Sequence, residues 1–182
     1  MNGVGRIHLL HLAPFIRVIN MKIVTGNLLT LAEQGEFDVI VHGCNCLNVM
    51  GAGIALPISK LYPAAYEADQ RTARGDYNKL GNFTSAQVTT KTDPIRSFTI
   101  VNAYTQFTCF HDDPNHDLFE YEAFILILQK LHKRFGRNIR YGFPLIGCGL
   151  ARGNKEIVMQ ILEKFSKAVE PSDSTVTLVL LG

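Results

Sequence analysis

Apolar positions along the chain fall into two alternating kinds of run. Residues 22–24 and 38–42 are short and β-branched, and Val39, Ile40 and Val41 are apolar in succession. A strand apolar on consecutive residues is buried on both faces. Residues 53–62 and 64–74 read as helices, separated by Pro63 and closed by Gly75. Residues 87–90 and 98–102 read as strands. Between 121 and 135, apolar residues at 124, 127, 128, 131 and 135 form the stripe of an amphipathic helix, with Gly136 as its stop. Residues 139–145 read as a strand. Asn154 is placed to cap a helix that carries Ile157, Val158, Ile161, Leu162 and Phe165 on one face. Residues 176–181 form a last strand. This alternation predicts a largely parallel sheet with helices on both sides. Such sheets bind ligands at the carboxyl ends of their strands, so the loops after strands carry the interest.

Length and composition narrow this picture. The 182 residues suit one domain, at roughly 150 residues each. With 47% apolar and 19% charged residues the chain is an ordinary globule, which excludes a disordered tail. The net charge of +2 does not supply the basic face of a duplex-DNA binder. No apolar run is long enough to span a bilayer. Cys44, Cys46, Cys109 and Cys148 match neither a zinc ribbon nor a redox pair, so they read as free thiols in a reducing compartment. Residues 1–20 are apolar but broken by His8, His11, Pro14 and Arg17, a poor secretory signal. The absence of an export signal points to the cytoplasm. Met21 opens a natural beginning, which sets residues 1–20 apart as an extension that packs, if native, beside the first strand.

Two glycine loops then stand out. The first runs from His42 through Asn45, Gly51, Ala52, Gly53 and Ile54 to Ala55. It follows a buried strand and enters a helix. Pro57 belongs in a helix's first turn, so that helix begins near residues 53–55, its free N–H groups turned into the loop. Converging donors at the positive end of a helix dipole favour an anion. The second loop runs from Pro144 to Asn154 and contains Ile146, Gly147, Cys148, Gly149 and Leu150. Two such units suggest a ligand with two charged groups, such as a diphosphate. The spacing is not Gly-x-Gly-x-x-Gly and no Walker lysine follows either loop, which disfavours a nicotinamide dehydrogenase or a nucleotide triphosphatase.

Thr25-Gly26-Asn27-Leu28, Asn45 with Gly51-Ala52-Gly53-Ile54, and Ile146-Gly147-Cys148-Gly149-Leu150, in that order, resemble the macro domain family. The likeness covers about residues 21–182. It implies a three-layer α/β/α sandwich with a mixed, mostly parallel six-stranded sheet, and a cleft for ADP-ribose. By the resemblance Asn27 stands where the family has an Asp that accepts from the adenine amino group, an uncharged replacement. Leu28 follows it in the same segment. Gly51, Ala52, Gly53 and Ile54 line the distal ribose and diphosphate. Asn45 approaches the distal ribose, and Ile146, Gly147, Cys148, Gly149 and Leu150 close over the other side.

The chain also departs from its catalytic relatives. Ala55 stands where the mono-ADP-ribosyl hydrolases carry an Asp, and Ala151 where the terminal ADP-ribose glycohydrolases carry one. Lys60 sits near those glycohydrolases' lysine. The His42–Cys46 stretch resembles the ADP-ribose 1″-phosphate phosphatases, whose matching histidine is a proposed catalytic group. Three readings therefore stay open. In the first, His42 ends its strand at the cleft and activates water against ADP-ribose 1″-phosphate, with Asn45 placing the ribose. In the second, Lys60 cleaves ADP-ribose from a modified protein or nucleobase as an amine nucleophile. In the third, the protein is a non-catalytic reader of ADP-ribose. No reading calls for a metal, a cofactor or a membrane. Cys44 and Cys46 read as packed thiols, and residues 111–117, rich in His and Asp, as a polar loop bordering the cleft. Tyr104 and Phe107 are expected on the same edge.

Overall fold

A computed structural model of the chain describes residues 21–110 and 117–182. The extension at residues 1–20 and most of the polar loop, including Asp112 and Asp113, lie outside these. The strands are β1 (Lys22–Thr25), β2 (Val39–Asn45), β3 (Phe83–Thr89), β4 (Ser97–Gln106), β5 (Arg140–Pro144) and β6 (Thr175–Leu180). The helices are α1 (Leu28–Glu33), α2 (Ala55–Leu61), α3 (Pro63–Gln70), α4 (Tyr121–Phe135) and α5 (Lys155–Val169). One sheet runs β1-β6-β5-β2-β4-β3. All neighbours are parallel except β3, which lies antiparallel on β4. This is the mixed, mostly parallel six-stranded sheet that the resemblance implies, and the largely parallel sheet that the sequence pattern predicts.

Strand alternation divides the core between two faces. Val39 and Val41 of β2 face one side, with Tyr141, Phe143, Val176 and Leu178, beneath α4 and α5. Ile40 and Cys44 face the other, with Ile100, Tyr104 and Val179, beneath α1, α2 and α3. Phe124, Ile127, Leu128 and Leu131 of α4 are buried as their spacing predicts; in α5 Val158, Leu162 and Phe165 are buried as expected and Val169 joins them, whereas Ile157 of the expected face is exposed. Both helices end or begin on the expected residues. Gly136 caps α4 at φ 77°, and the Asn154 side chain accepts from Ile157 N at 3.1 Å.

The connections create a crevice. After β2 the chain passes to α2 and α3 on one face; after β5 it passes to α5 on the other. β2 and β5 are neighbours, yet they pair only at their starts, Val39 with Tyr141 and Ile40 with Gly142. Beyond Ile40, β2 continues along β4 while β5 continues along β6. Neighbouring strands whose connections leave to opposite faces define the switch point where open α/β sheets bind ligands. Asp38 and Arg140 brace the closed end: Nε and one terminal guanidinium nitrogen of Arg140 donate to the two carboxylate oxygens at 3.1 and 2.7 Å. Burial pushes the Asp38 carboxyl up, but these bonds and the arginine charge outweigh it and hold it below the usual range.

Candidate functional site at the mouth of the crevice

Both glycine loops rim the open end of this crevice. Ile146 leans over β2, with its Cγ1 only 3.2 Å from where a Cβ on Gly43 would stand. In the first loop, the backbone N–H groups of Gly51, Ala52, Gly53, Ile54 and Ala55 have no acceptor among the described residues. The three residues Gly51, Ala52 and Gly53 are exposed. Helix α2 starts at Ala55 as Pro57 requires, but it has only seven residues, so its dipole is modest and the loop amides are the principal donors. In the second loop the N–H groups of Gly147 and Gly149 likewise find no acceptor among the described residues. The turn is closed from within by Gly153 N donating to Gly147 O at 2.8 Å. Cys148 is half-buried, Leu150 is exposed, and Ile146 lies in the core. Two sets of unpaired donors thus lie on loops that follow neighbouring parallel strands, an arrangement suited to an extended anion.

The side chains named from the sequence have other tasks. Asn27 is exposed, but its Oδ1 caps α1, accepting from Leu29 N at 2.9 Å and Thr30 N at 3.1 Å. An adenine amino group would have to compete with that cap. Leu28 is buried, so only its backbone can meet a ligand. Asn45 is turned into its own loop: Oδ1 accepts from Leu47 N and Val49 N, and Nδ2 donates to Val49 O at 2.7 Å. These bonds make Asn45 a residue that shapes the loop.

His42 requires correction. The strand does not end there; β2 continues to Asn45, and His42 is 0% exposed. It shares the face of Ile40 and Cys44, and its Nε2 lies 2.8 Å from Asn102 Oδ1. Asn102 in turn donates to Ala65 O and Thr84 Oγ1. Burial holds the imidazole down at about 4, from an ordinary 6.5, although the bonds to Asn102 and Gly43 pull upward. His42 is therefore neutral near pH 7 and sealed from any water in the crevice. This has a consequence for stability. The folded value lies below the unfolded one, so the unfolded chain binds the extra proton. Stability is present above about 6.5 and is lost as pH falls toward 4, by about 1.4 kcal/mol per pH unit. Urea unfolding of wild type and His42→Gln over this range checks it; the variant should show a flatter pH dependence.

Lys60 is the penultimate residue of α2 and exposed. It lies about 7.5 Å along the axis from Ala55, at 1.5 Å per residue. Ala55 and Ala151 place apolar methyls on the two loops, and Ala151 is buried. Cys44 and Cys46 are both buried. Burial pushes Cys46 up to about 11 and Cys44 well above its ordinary value, so both stay protonated, as packed thiols should. Tyr104 is buried and Phe107 half-buried, the latter stacked on Tyr77 at 3.7 Å.

The sequence did not single out what lies under the first loop. Asp69 and Lys79 are buried together against Tyr104, beside Asn48. At the crevice floor, Thr105 Oγ1 is buried without a hydrogen-bond partner among the described residues. No local motif marks Asp69, Lys79 and Thr105, because they come from three separate elements and are of types normally found at the surface.

With this geometry the protein is a macrodomain in fold. It aligns with the macrodomain of Mycobacterium tuberculosis DarG at a TM-score of 0.62 and 22% identity, covering 88% of this chain and 96% of that one. It aligns with Thermosipho africanus DarTG in complex with ADP-ribose at a TM-score of 0.61 and 14% identity, over 88% of this chain and 42% of that one. No protein-family model matches the chain. A curated relative does: the uncharacterized 17.5 kDa protein in the tk-vs intergenic region of Enterobacteria phage T4 is 34% identical over 155 residues, 82% of this chain and 92% of that protein. The chain belongs to the same family as that phage protein. Among the described residues no helix is long and apolar enough to cross a membrane.

Proposed function

We propose that this protein binds ADP-ribose, or a derivative substituted on its distal ribose, with the diphosphate held between the two glycine loops. The observation that carries the reading is the run of unpaired N–H groups from Gly51 to Ala55, together with those of Gly147 and Gly149 on the loop that follows the neighbouring parallel strand. The solved DarTG complex with ADP-ribose, on the same fold, supports the choice of ligand. Amides fixed in place stabilise a diphosphate without a metal. The reading favoured here is a binding module. His42 is buried in the core, Lys60 is exposed near the end of α2, and Ala55 and Ala151 supply no acid or base. Dephosphorylation of ADP-ribose 1″-phosphate through His42 would need the histidine to become accessible, and glycohydrolysis of a modified protein or nucleobase would rest on Lys60 alone.

Calorimetry with ADP-ribose, paired with mass spectrometry of ADP-ribose 1″-phosphate and of ADP-ribosylated protein and DNA, tests this. The expected result is one-to-one binding with no turnover. Phosphate release that disappears in His42→Gln would return the histidine to a catalytic role, and a borohydride-trapped adduct lost in Lys60→Ala would do so for the lysine. Gly149→Glu gives a sharper check. No atom lies within 4 Å of a Cβ built at Gly149, so a side chain fits without disturbing the fold. Its carboxylate would enter the anion site and weaken ADP-ribose by about 100-fold, or about 2.7 kcal/mol. The melting temperature should move by less than about 2 °C. Undiminished affinity in this folded variant would place the diphosphate elsewhere.

A further inference from the structure

We infer that Lys79 is a positioning residue for the first glycine loop, acting through Asn48. The inference rests on the reading that this loop takes the diphosphate. Lys79 lies in a single 3-10 turn, Tyr77–Lys79, outside the crevice, and is 6% exposed. Its Nζ donates to Asn48 Oδ1 at 2.8 Å and to Cys46 O at 3.2 Å. The same ammonium sits 4.4 Å from the centroid of the Tyr104 ring and 4.0 Å from Asp69 Oδ1. Its acceptors are therefore on the loop, and its counter-charge is on α3.

Asn48 is the receiving end. It holds a left-handed backbone conformation at φ 58°. Its Nδ2 donates to Asp69 O at 2.6 Å and Thr72 Oγ1 at 3.0 Å, and its own carbonyl accepts from Gln70 Nε2 at 2.9 Å. Asn45 meanwhile holds Val49 through both N–H and carbonyl. Met50 is buried. The loop is thus fastened from Cys46 to Met50, and its free, exposed stretch begins at Gly51.

An ammonium taken out of water is costly, and an apolar side chain would fill the same socket at lower cost. What the lysine adds is direction: separate donors aimed at two points of one loop. Amides fixed before the ligand arrives need no ordering on binding, which raises affinity without any contact to the ligand. Affinity for the anion accordingly depends on a residue that does not line the crevice.

The test compares Lys79→Met, Asn48→Gly and Asn48→Asp with wild type. Glycine keeps the left-handed backbone free of strain but removes every side-chain bond. Aspartate keeps the acceptor for Lys79 and loses the donors to Asp69 and Thr72. ADP-ribose affinity is measured by calorimetry where circular dichroism shows each variant folded. Amide hydrogen exchange in the unliganded proteins is followed at residues 46–54, with β5 as internal control. Lys79→Met and Asn48→Gly are expected to weaken binding about tenfold or more, and Asn48→Asp less. Exchange should quicken at 46–54 and stay unchanged in β5, a split that general destabilisation would not produce. Should Lys79→Met fail to fold, Asn48→Gly decides. Wild-type affinity in a folded variant would overturn the inference and leave the proposed function standing. Failure of the wild type to bind ADP-ribose would overturn the proposed function. Exchange then decides alone: unchanged rates at 46–54 would overturn the inference, and rates raised there only would sustain it.

Discussion

Replacing Gly147 by alanine is expected to destabilise the protein by on the order of 3 kcal/mol, lowering its melting temperature by about 10 °C. Gly147 adopts φ 75°, which an L side chain resists, and a Cβ there would stand 2.0 Å from Cδ2 of Phe119. The ring cannot step aside. Phe119 is 3% exposed and held edge-on by Tyr121 and Phe124, with centroids 5.2 and 5.6 Å away. Gly153 closes the remaining side, its would-be Cβ at 3.1 Å from the same ring. The loop itself would have to move, and with it the amides of Gly147 and Gly149, so ADP-ribose affinity should fall together with stability. Gly149→Ala is the matched control: its backbone needs no left-handed φ and its Cβ meets open space, so it should stay within about 0.5 kcal/mol of wild type. Scanning calorimetry of the pair separates the cases. A Gly147→Ala melting point within about 2 °C of wild type would show that Phe119 is not the rigid stop described here.

The second large effect concerns Asp69. Its side chain is 1% exposed, accepts from the Tyr104 hydroxyl at 2.9 Å and from Gln70 Nε2 at 3.1 Å, and faces Lys79. Burial raises its carboxyl above the ordinary value, and the bonds to Tyr104 and Gln70 and the charge of Lys79 offset only part of that. Asp69→Ala would leave the Lys79 ammonium buried without a carboxylate and the Tyr104 hydroxyl without this acceptor. The expected loss is about 3–5 kcal/mol in urea unfolding. Asp69→Asn, which keeps an acceptor for Tyr104, should cost less. Combining Asp69→Ala with Lys79→Met should cost less than the two changes added, because the second removes the charge that the first strands. Strict additivity would mean that the two groups do not sense each other across 4.0 Å.

Much of the architecture was legible in the chain because it rests on repeating apolar positions. Helices α4 and α5 fall where their stripes and end residues place them. The two glycine loops were legible as loops after strands. Strand ends were not. β2 and β4 run past their predicted ends at His42 and Asn102, through Asn45 and Thr105, polar residues that read as loop. They are buried because hydrogen bonds across the sheet and to α3 satisfy most of them, which no local pattern announces. The same blind spot misdirected the site: a histidine after three β-branched or apolar residues looked like a strand terminus at the crevice, and it is a core residue. Lys79 and Asp69 went unnoticed for a complementary reason. They are ordinary surface types in the sequence, and only tertiary structure joins α3, a 3-10 turn and β4 beneath one loop.

The divergence of β2 from β5 also sets an order of assembly. The two loops that face each other across the crevice follow strands ending at positions 45 and 144, and each is fixed to its own half of the molecule. The short pairing of Val39 and Ile40 with Tyr141 and Gly142, and the approach of Ile146 to Gly43, set their separation. A contact between such remote segments forms late, after long loop closure. A ligand that needs both loops would therefore meet a complete site only in a chain made beyond Gly153, and what it would stabilise is the assembled domain and not an early half of it.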